Sequence, residues 1–220
     1  MQKFDTPAPV LAVLAVPAGR IQFIAADRTD TTVEVLPANA AKSRDVKAAQ
    51  EIEVAYSDGV LSVQVPEAKN RLLGTGAVEV TVQLPAGSRV EAKAASAELR
   101  SVGRLGEVVF DGAYRQIKID EAASLRLAAT DGDVEVGRLT GPAEISTARG
   151  DIRIAEAVRG TVTLHTQQGD ITVGAAGDAS ASLDAGTGHG RIHNALKNDG
   201  TTRLDIRATT AHGDITARSL

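Results

Sequence analysis

The chain of 220 residues has no cysteine and no tryptophan, one methionine, three phenylalanines and two tyrosines. Without cysteine, disulfide staples, thiolate zinc sites and cysteine nucleophiles are excluded. With aromatic residues at 2%, a cofactor pocket lined by rings has little to be built from. The core must be aliphatic. Long apolar runs are missing as well. Val10–Val16 is apolar, but it spans only seven residues and ends at Pro17, too short for a transmembrane helix and poor as a signal peptide. This predicts a soluble protein made and kept in the cytoplasm, without membrane insertion, unless a route that needs no cleaved signal exports it. Clustered positive charge is also lacking: 24 Lys and Arg are scattered among 28 Asp and Glu. Phosphate binding needs clustered cations, so nucleic acid is not expected as a partner.

What the chain does have is 43% apolar residues and a repeat. The clearest copies are Thr147-Ala148-Arg149-Gly150-Asp151-Ile152-Arg153-Ile154 and Thr166-Gln167-Gln168-Gly169-Asp170-Ile171-Thr172-Val173, with Thr210-Ala211-His212-Gly213-Asp214-Ile215-Thr216 near the C-terminus. Aligned on the glycine of Gly-Asp, the reference positions are Ala97, Arg115, Gly132, Gly150, Gly169, Gly190 and Gly213, in steps of 18, 17, 18, 19, 21 and 23 residues. A period of this size marks a solenoid whose turns close their core only against neighbours. The later, longer steps predict longer loops. Two residues after the reference stand Leu99, Ile117, Val134, Ile152, Ile171, Ile192 and Ile215. Five before it stand Ala92, Phe110, Leu127, Ile145, Leu164, Ala185 and Ala208, and four after it Ser101, Ile119, Val136, Ile154, Val173, Asn194 and Ala217. Period-two alternation turns these columns inward. They shrink toward the C-terminus, so the last two turns are expected to pack less well. Outside, Lys118, Glu135 and Arg153 alternate in sign, Asp131 precedes Arg149 and Arg126 precedes Glu144 by one turn, a pattern that favours one stacking register.

Residues 1–89 lack the repeat but carry alternating strand patterns at 21–24, 32–35, 52–54, 61–65 and 78–82, with a hairpin signal at Ser57-Asp58-Gly59. The Ala/Lys-rich stretch 38–49 reads as a loop or short helix, and 67–76 as a mobile exposed loop. Pro17-Ala18-Gly19 and Pro85-Ala86-Gly87 are identical turns that hint at a distant internal relationship. The expected organisation is an all-β protein: a β-sandwich-like or meander cap over 1–89 at one end of a β-solenoid of about seven turns over 90–220.

Candidate chemistry is sparse. Asp133, Asp151 and Asp170 stack in adjacent turns, a weak candidate for a cation such as Ca²⁺; the plainer expectation is that each bonds its own turn, as Asx residues do. Arg191 breaks this column. His189 and His212 share one position in neighbouring turns, a weak transition-metal candidate without a third ligand, with His193 nearby and His165 outward and solvated. The acids Asp131 and Asp133 could serve sugar cleavage but read better as a solvated turn. Thr147, Thr166, Thr187 and Thr210 read as a ladder of hydroxyls bonding between turns. Gly74-Thr75-Gly76 lacks the lysine of a phosphate loop. No catalytic residue, cofactor or committed metal site emerges.

The recurring Thr-x-x-Gly-Asp-Ile-x-Val, the glycine-rich returns and the strands around Pro17-Ala18-Gly19 resemble the bacterial adhesin-like DUF4097 family, of the actinobacterial type without a signal peptide. The resemblance covers nearly the whole chain. It implies an all-β, helix-like solenoid, and it transfers no catalytic residue. The function expected is a non-catalytic scaffold or interaction protein. The alternatives are a cation- or glycan-binding module and, less favoured, an enzyme acting on polysaccharide. The partner expected is another protein or a second copy, held through the C-terminal solenoid end. There the chain stops at Leu220, and Asp205, Arg207, Asp214 and Arg218 could pair across the two-fold axis of a homodimer; the loop 195–203 is the competing cover for that end.

Overall fold

The computed structural model describes residues 1–65, 76–113 and 116–220. The loop expected over 67–76 falls, apart from Gly76, outside the described residues, as do Gly74, Thr75 and the reference residue Arg115. In chain order the elements are β1 (Gln2–Asp5), β2 (Leu11–Ala26), β3 (Asp30–Pro37), α1 (Ser43–Glu51), β4 (Glu53–Ser57), β5 (Val60–Gln64), β6 (Val78–Pro85), β7 (Arg89–Ala113), β8 (Ile117–Asp131), β9 (Val134–Leu139), β10 (Ala143–Arg149), β11 (Ile152–Ala157), β12 (Gly160–Gln168), β13 (Ile171–Ala175), β14 (Ala181–His189), β15 (Ile192–Ala195), β16 (Leu204–His212) and β17 (Ile215–Ser219). All 17 strands among the described residues belong to one sheet, and the pairing is parallel throughout the repeat region. The short helix over part of 38–49 is α1.

The apolar column two residues after the reference is a continuous inner ladder. Its rungs run Val80–Ile21–Leu99–Ile117–Val134–Ile152–Ile171–Ile215–Ile192. A second ladder, Val63–Leu14–Ala92, belongs to the N-terminal half, and its equivalent in the repeats is Phe110–Leu127–Ile145–Leu164–Ala208–Ala185. Apart from Ile192 and Ala185, which end the two ladders, these side chains are buried as the alternation requires, and all of them but Phe110 are aliphatic. Burying each large aliphatic side chain contributes roughly 1.5–3 kcal/mol. A ladder of this depth therefore holds the chain with little aromatic bulk, Phe23 and Phe110 being its large buried rings.

Two expectations change here. First, the sheet is unbroken at residue 89. Strand β2 pairs with β7 from Leu11↔Arg89 to Ile24↔Val102, in the same parallel ladder as the repeats. Gly19 pairs with Ala97 and so stands in the reference column, whereas Pro85-Ala86-Gly87 follows β6 and leads into β7; the two like-worded turns occupy different corners. The strands that cover this end are antiparallel extensions of the one sheet: β3 on β6, β1 on β3, and β4 on β5 through the hairpin at Asp58 (φ 51°) and Gly59 (φ 78°). Helix α1 packs beside β3 and β6.

Second, the turns do not stack in chain order. Strand β12 pairs with β16, and β16 pairs on its other side with β14; β13 and β15 flank β17 in the same way. The C-terminal turn, 204–219, is inserted between 160–175 and 181–195. The chain steps out past one vacant layer through 176–180 and returns through 196–203 to fill it. The long steps of 21 and 23 residues supply that detour. Packing follows the spatial order: Ile206, Ala208, Ile215 and Ala217 are fully enclosed, while Ile192, at the true end, is 45% exposed. The weaker packing expected of the last two turns falls on 181–195 alone.

This order yields a sharp comparison. Ile215→Asp places an unpaired charge inside the ladder and should cost about 3–5 kcal/mol or prevent folding. Ile192→Asp can hydrate at the open end and should cost less than about 1 kcal/mol. Denaturant melts of the two variants check it.

Candidate functional site: the Gly-Asp corner and the open end

The corner carrying Gly-Asp is built from two constraints that act together. Gly132, Gly150, Gly169, Gly213 and Gly190 all have φ between 133° and 154°, a region L side chains rarely enter. They also stack glycine on glycine: a Cβ on Gly150, Gly169, Gly213 or Gly190 would collide with the carbonyl oxygen of the glycine in the adjacent layer. Only a residue without a side chain fits either requirement.

The aspartates that follow form a ladder between layers, not within a turn. Asp133 Oδ1 accepts the N–H of Asp151 at 2.9 Å, Asp151 that of Asp170 at 2.7 Å, Asp170 that of Asp214 at 2.7 Å, and Asp214 that of Arg191 at 2.8 Å. The expectation that each aspartate bonds its own turn is thus corrected, and Asp214 joins as a fourth rung. One oxygen of every carboxylate is committed to a backbone donor, which offsets the repulsion between stacked carboxylates. Arg191 ends the series in space as well as in sequence pattern, with its guanidinium 3.2 Å from Asp214. The Arg191 N–H, more than its guanidinium, holds the Asp214 carboxyl below the usual carboxylate range, against a smaller opposing effect of burial.

Three residues before each glycine, the threonines work the same corner. Thr166, Thr210 and Thr187 donate to the carbonyls of Gly150, Gly169 and Gly213 in the neighbouring layer, at 3.1, 3.0 and 2.9 Å, while Thr147 donates to Arg149 of its own turn. The carbonyls of Gly150, Gly169 and Gly213 each gain a donor in this way.

The other residues singled out in the sequence are dispersed. Asp131 pairs with Arg149 at 2.9 Å, Lys118 with Glu135 at 3.0 Å and Arg126 with Glu144 at 3.7 Å. All six side chains are more than a third exposed or nearly so, and each such pair is worth at most about 1 kcal/mol. Asp131 faces Arg149 while Asp133 is bonded to the Asp151 N–H, so the two acids do not converge on one point. The rings of His189 and His212 stack at 4.9 Å with planes 1° apart. His193 lines a shallow depression at the open end with Arg191, Ile192, Asp214 and Thr216. His165 Nδ1 lies 2.8 Å from the Thr209 hydroxyl. Among the described residues, no three of His, Asp and Glu gather where they could hold a metal ion.

One column escaped the sequence reading. Arg104, Glu121, Arg138 and Glu156 stack in that order with alternating sign. A register shift after Ser101 offsets the first member by one residue, at Gly103 (φ 83°). Counting from the reference position therefore put Arg104 in the wrong column.

The open end is the layer β14–β15. Here Leu183, Ala185 and Ile192 occupy inward positions without a further layer over them, among the described residues. The loop 196–203 runs along the start of β14, where the Lys197 carbonyl accepts the Ala181 N–H, and its Leu196 packs partly buried against the core. The loop is tied at the corner to Ser180: Ser180 Oγ accepts the Asp199 N–H, and the Ser180 carbonyl accepts the Arg203 N–H. Asp205, Arg207, Asp214 and Arg218, foreseen as paired across a two-fold axis at this end, lie one layer inside it.

The Toastrack DUF4097 model matches residues 13–218. The chain belongs to that family. Among solved structures, an adhesin-like protein of Bacteroides fragilis NCTC 9343 superposes with a TM-score of 0.56 at 16% identity, over 98% of this chain and 95% of the other. A cell-adhesion-like protein of Clostridium sporogenes ATCC 15579 gives a TM-score of 0.40 at 12% identity, over 100% and 98% of the two chains. No curated protein matches the chain in sequence. As a Toastrack protein it shares an all-β, solenoid-like fold with the first of these.

Two predictions concern the corner. Gly169→Ala should lose at least about 2 kcal/mol, from backbone strain and the clash with the Gly150 carbonyl. Asp170→Ala, which removes only the acceptor for the Asp214 N–H, should lose about 1 kcal/mol. Urea melts of both should keep that order. The second concerns acid. A carboxyl held low in the folded state stabilises it above the ordinary aspartate pKa, and the effect is lost as pH falls through the folded value. The end of the ladder should therefore loosen below about pH 4, and amide exchange at Arg191 should accelerate there. In Asp214→Asn that acceleration should be absent.

Proposed function

We propose that this Toastrack protein is a non-catalytic scaffold: a solenoid of about seven repeat turns with an N-terminal cap, which binds a protein partner or a second copy of itself. The observation that carries this reading is where the polar groups of the repeat are used. The acids that sugar cleavage would require are engaged inside the ladder, Asp131 by Arg149 and Asp133 by the Asp151 N–H. The outward faces between them are flat ladders of paired charges and hydroxyls, suited to lie against another surface. The adhesin-like description of the structural relative from Bacteroides fragilis is in keeping with such a role.

The same proposal has the protein act in the cytoplasm and without membrane insertion. Val10–Val16, the apolar run nearest the start, enters the ladder as the first half of β2, paired on both sides from Leu11. No described helix is long and apolar enough to cross a membrane. The partner proposed is a protein, because the net charge of −4 and the interleaved signs offer phosphate nothing to bind.

The test pairs an activity screen with a binding screen. The purified protein is incubated with soluble polysaccharides and reducing ends are counted. The tagged protein is also used to recover partners from its host, with cell fractionation alongside. The expected result is no turnover above buffer and a saturable protein complex in the soluble fraction. Steady turnover that is lost in Asp131→Asn would overturn the scaffold reading.

A further inference from the structure

We infer that the open layer β14–β15 joins two copies of this chain, with β14 pairing antiparallel to β14 of the second copy about a two-fold axis through Gly186. The inference rests on the scaffold reading and names its partner.

The backbone provides the first reason. The His189 carbonyl accepts the Gly213 N–H, and the Arg191 carbonyl accepts the Ile215 N–H. Alternate residues of a strand turn their N–H and C=O to opposite neighbours. At the start of β14 the Ser180 carbonyl accepts the Leu204 N–H while the Ala181 N–H turns away to the Lys197 carbonyl, so Ser182, Asp184 and Gly186 face β16, and Leu183, Ala185 and Thr187 present their donors and acceptors to the free side. A strand edge of this length is a template for another strand. β14 and β15 contain no lysine and no proline, and the loop engages this edge at its first residue, where the Lys197 carbonyl accepts the Ala181 N–H.

The second reason is apolar. Ile192 is 45% exposed, while Ile215, its equivalent one layer inward, is 1% exposed. Leu183 and Ala185 are half-buried where Ile206 and Ala208 are fully buried. The repeat has built inner positions here that a further layer would cover.

The third reason decides the occupant. At the opposite end the parallel layers are overlaid by antiparallel strands, β3 on β6 and β4 on β5, with α1 beside β3 and β6, so that end presents no open parallel layer of the repeat. Head-to-tail stacking would need an open layer at both ends. With one open end the self-complementary contact is a closed dimer, not a filament. The charges permit it. In antiparallel pairing centred on Gly186, Gly186 meets its own copy and Asp184 falls opposite Gly188 of the second copy, so no like charges are brought face to face.

Light scattering from about 5 to 200 µM should show a two-fold rise in mass. Ile192→Lys, a change at a half-exposed position, should remain monomeric across that range with its melting temperature nearly unchanged. Because the chain has no cysteine, a single Gly186→Cys variant should form an oxidised, linked dimer, while Thr163→Cys, exposed three layers from β7 on the same face, should not. A wild-type monomer at the highest concentration overturns the inference and leaves the scaffold reading to a different protein partner. So does a dimer that survives Ile192→Lys, or one that links through Thr163→Cys in place of Gly186→Cys. Polysaccharide turnover by a protein that nevertheless dimerises in this way would remove the scaffold reading and leave the dimer standing.

Discussion

The fold depends on one close approach, the stacking of glycine on glycine at the Gly-Asp corner. Layers in a parallel sheet sit about 4.8 Å apart. At that spacing the corner of each turn must reverse direction without a side chain in the way. Gly150, Gly169, Gly213 and Gly190 meet this requirement, each with positive φ and each with the neighbouring glycine's carbonyl where a Cβ would be. Once the backbones are that close, the following aspartate can accept the next layer's N–H, and the threonine three residues before the glycine can donate to the neighbouring layer's carbonyl. The inner isoleucine column is set in register by the same corner. Local geometry, polar satisfaction and core packing therefore point to one arrangement, which is the condition for a repeat to specify a single structure.

The corner also explains why chemistry is sparse. A ladder whose acids are each bonded to a backbone donor has stable, flat faces and little that is free to react. Under the proposed scaffold reading, binding falls to surfaces that the repeat does not consume. The N-terminal end is consumed by β1, β3, β4 and α1. The other end, at 181–195, is not.

Much of this was legible in the sequence. The inner columns, the three outer charge pairs and the threonine ladder follow from counting residues, because a fixed period makes position along the chain equivalent to position on the surface. Counting failed in three places, each for a physical reason. It could not place Arg104 with Glu121, Arg138 and Glu156, which each stand six residues after a reference position, because an extra residue near Gly103 shifts the register. It stopped at residue 89 although Gly19-Arg20-Ile21-Gln22-Phe23 has the same spacing as Gly190-Arg191-Ile192, with arginine in place of aspartate in both. And it assumed that chain order is stacking order. The signal against that assumption was present: in chain order, polar Asn194 interrupts the column between Val173 and Ala217. Placed at the end of the stack, Asn194 is exposed and the interruption disappears. Which carboxylate oxygen bonds which layer was not legible, since both choices satisfy the same spacing.

The insertion of the C-terminal turn is the claim from which the open end and its proposed role follow. A cysteine-free chain allows it to be tested directly. His165 lies in register beside Thr209, and Thr209 beside Gly186. His165 and Gly186 are thus two layers apart, about 9.6 Å, beyond the reach of a disulfide. Under dilute oxidising conditions, the double variant His165→Cys with Thr209→Cys should form an intramolecular disulfide, and His165→Cys with Gly186→Cys should not. The reverse outcome would mean that the turns stack in chain order and would contradict the account.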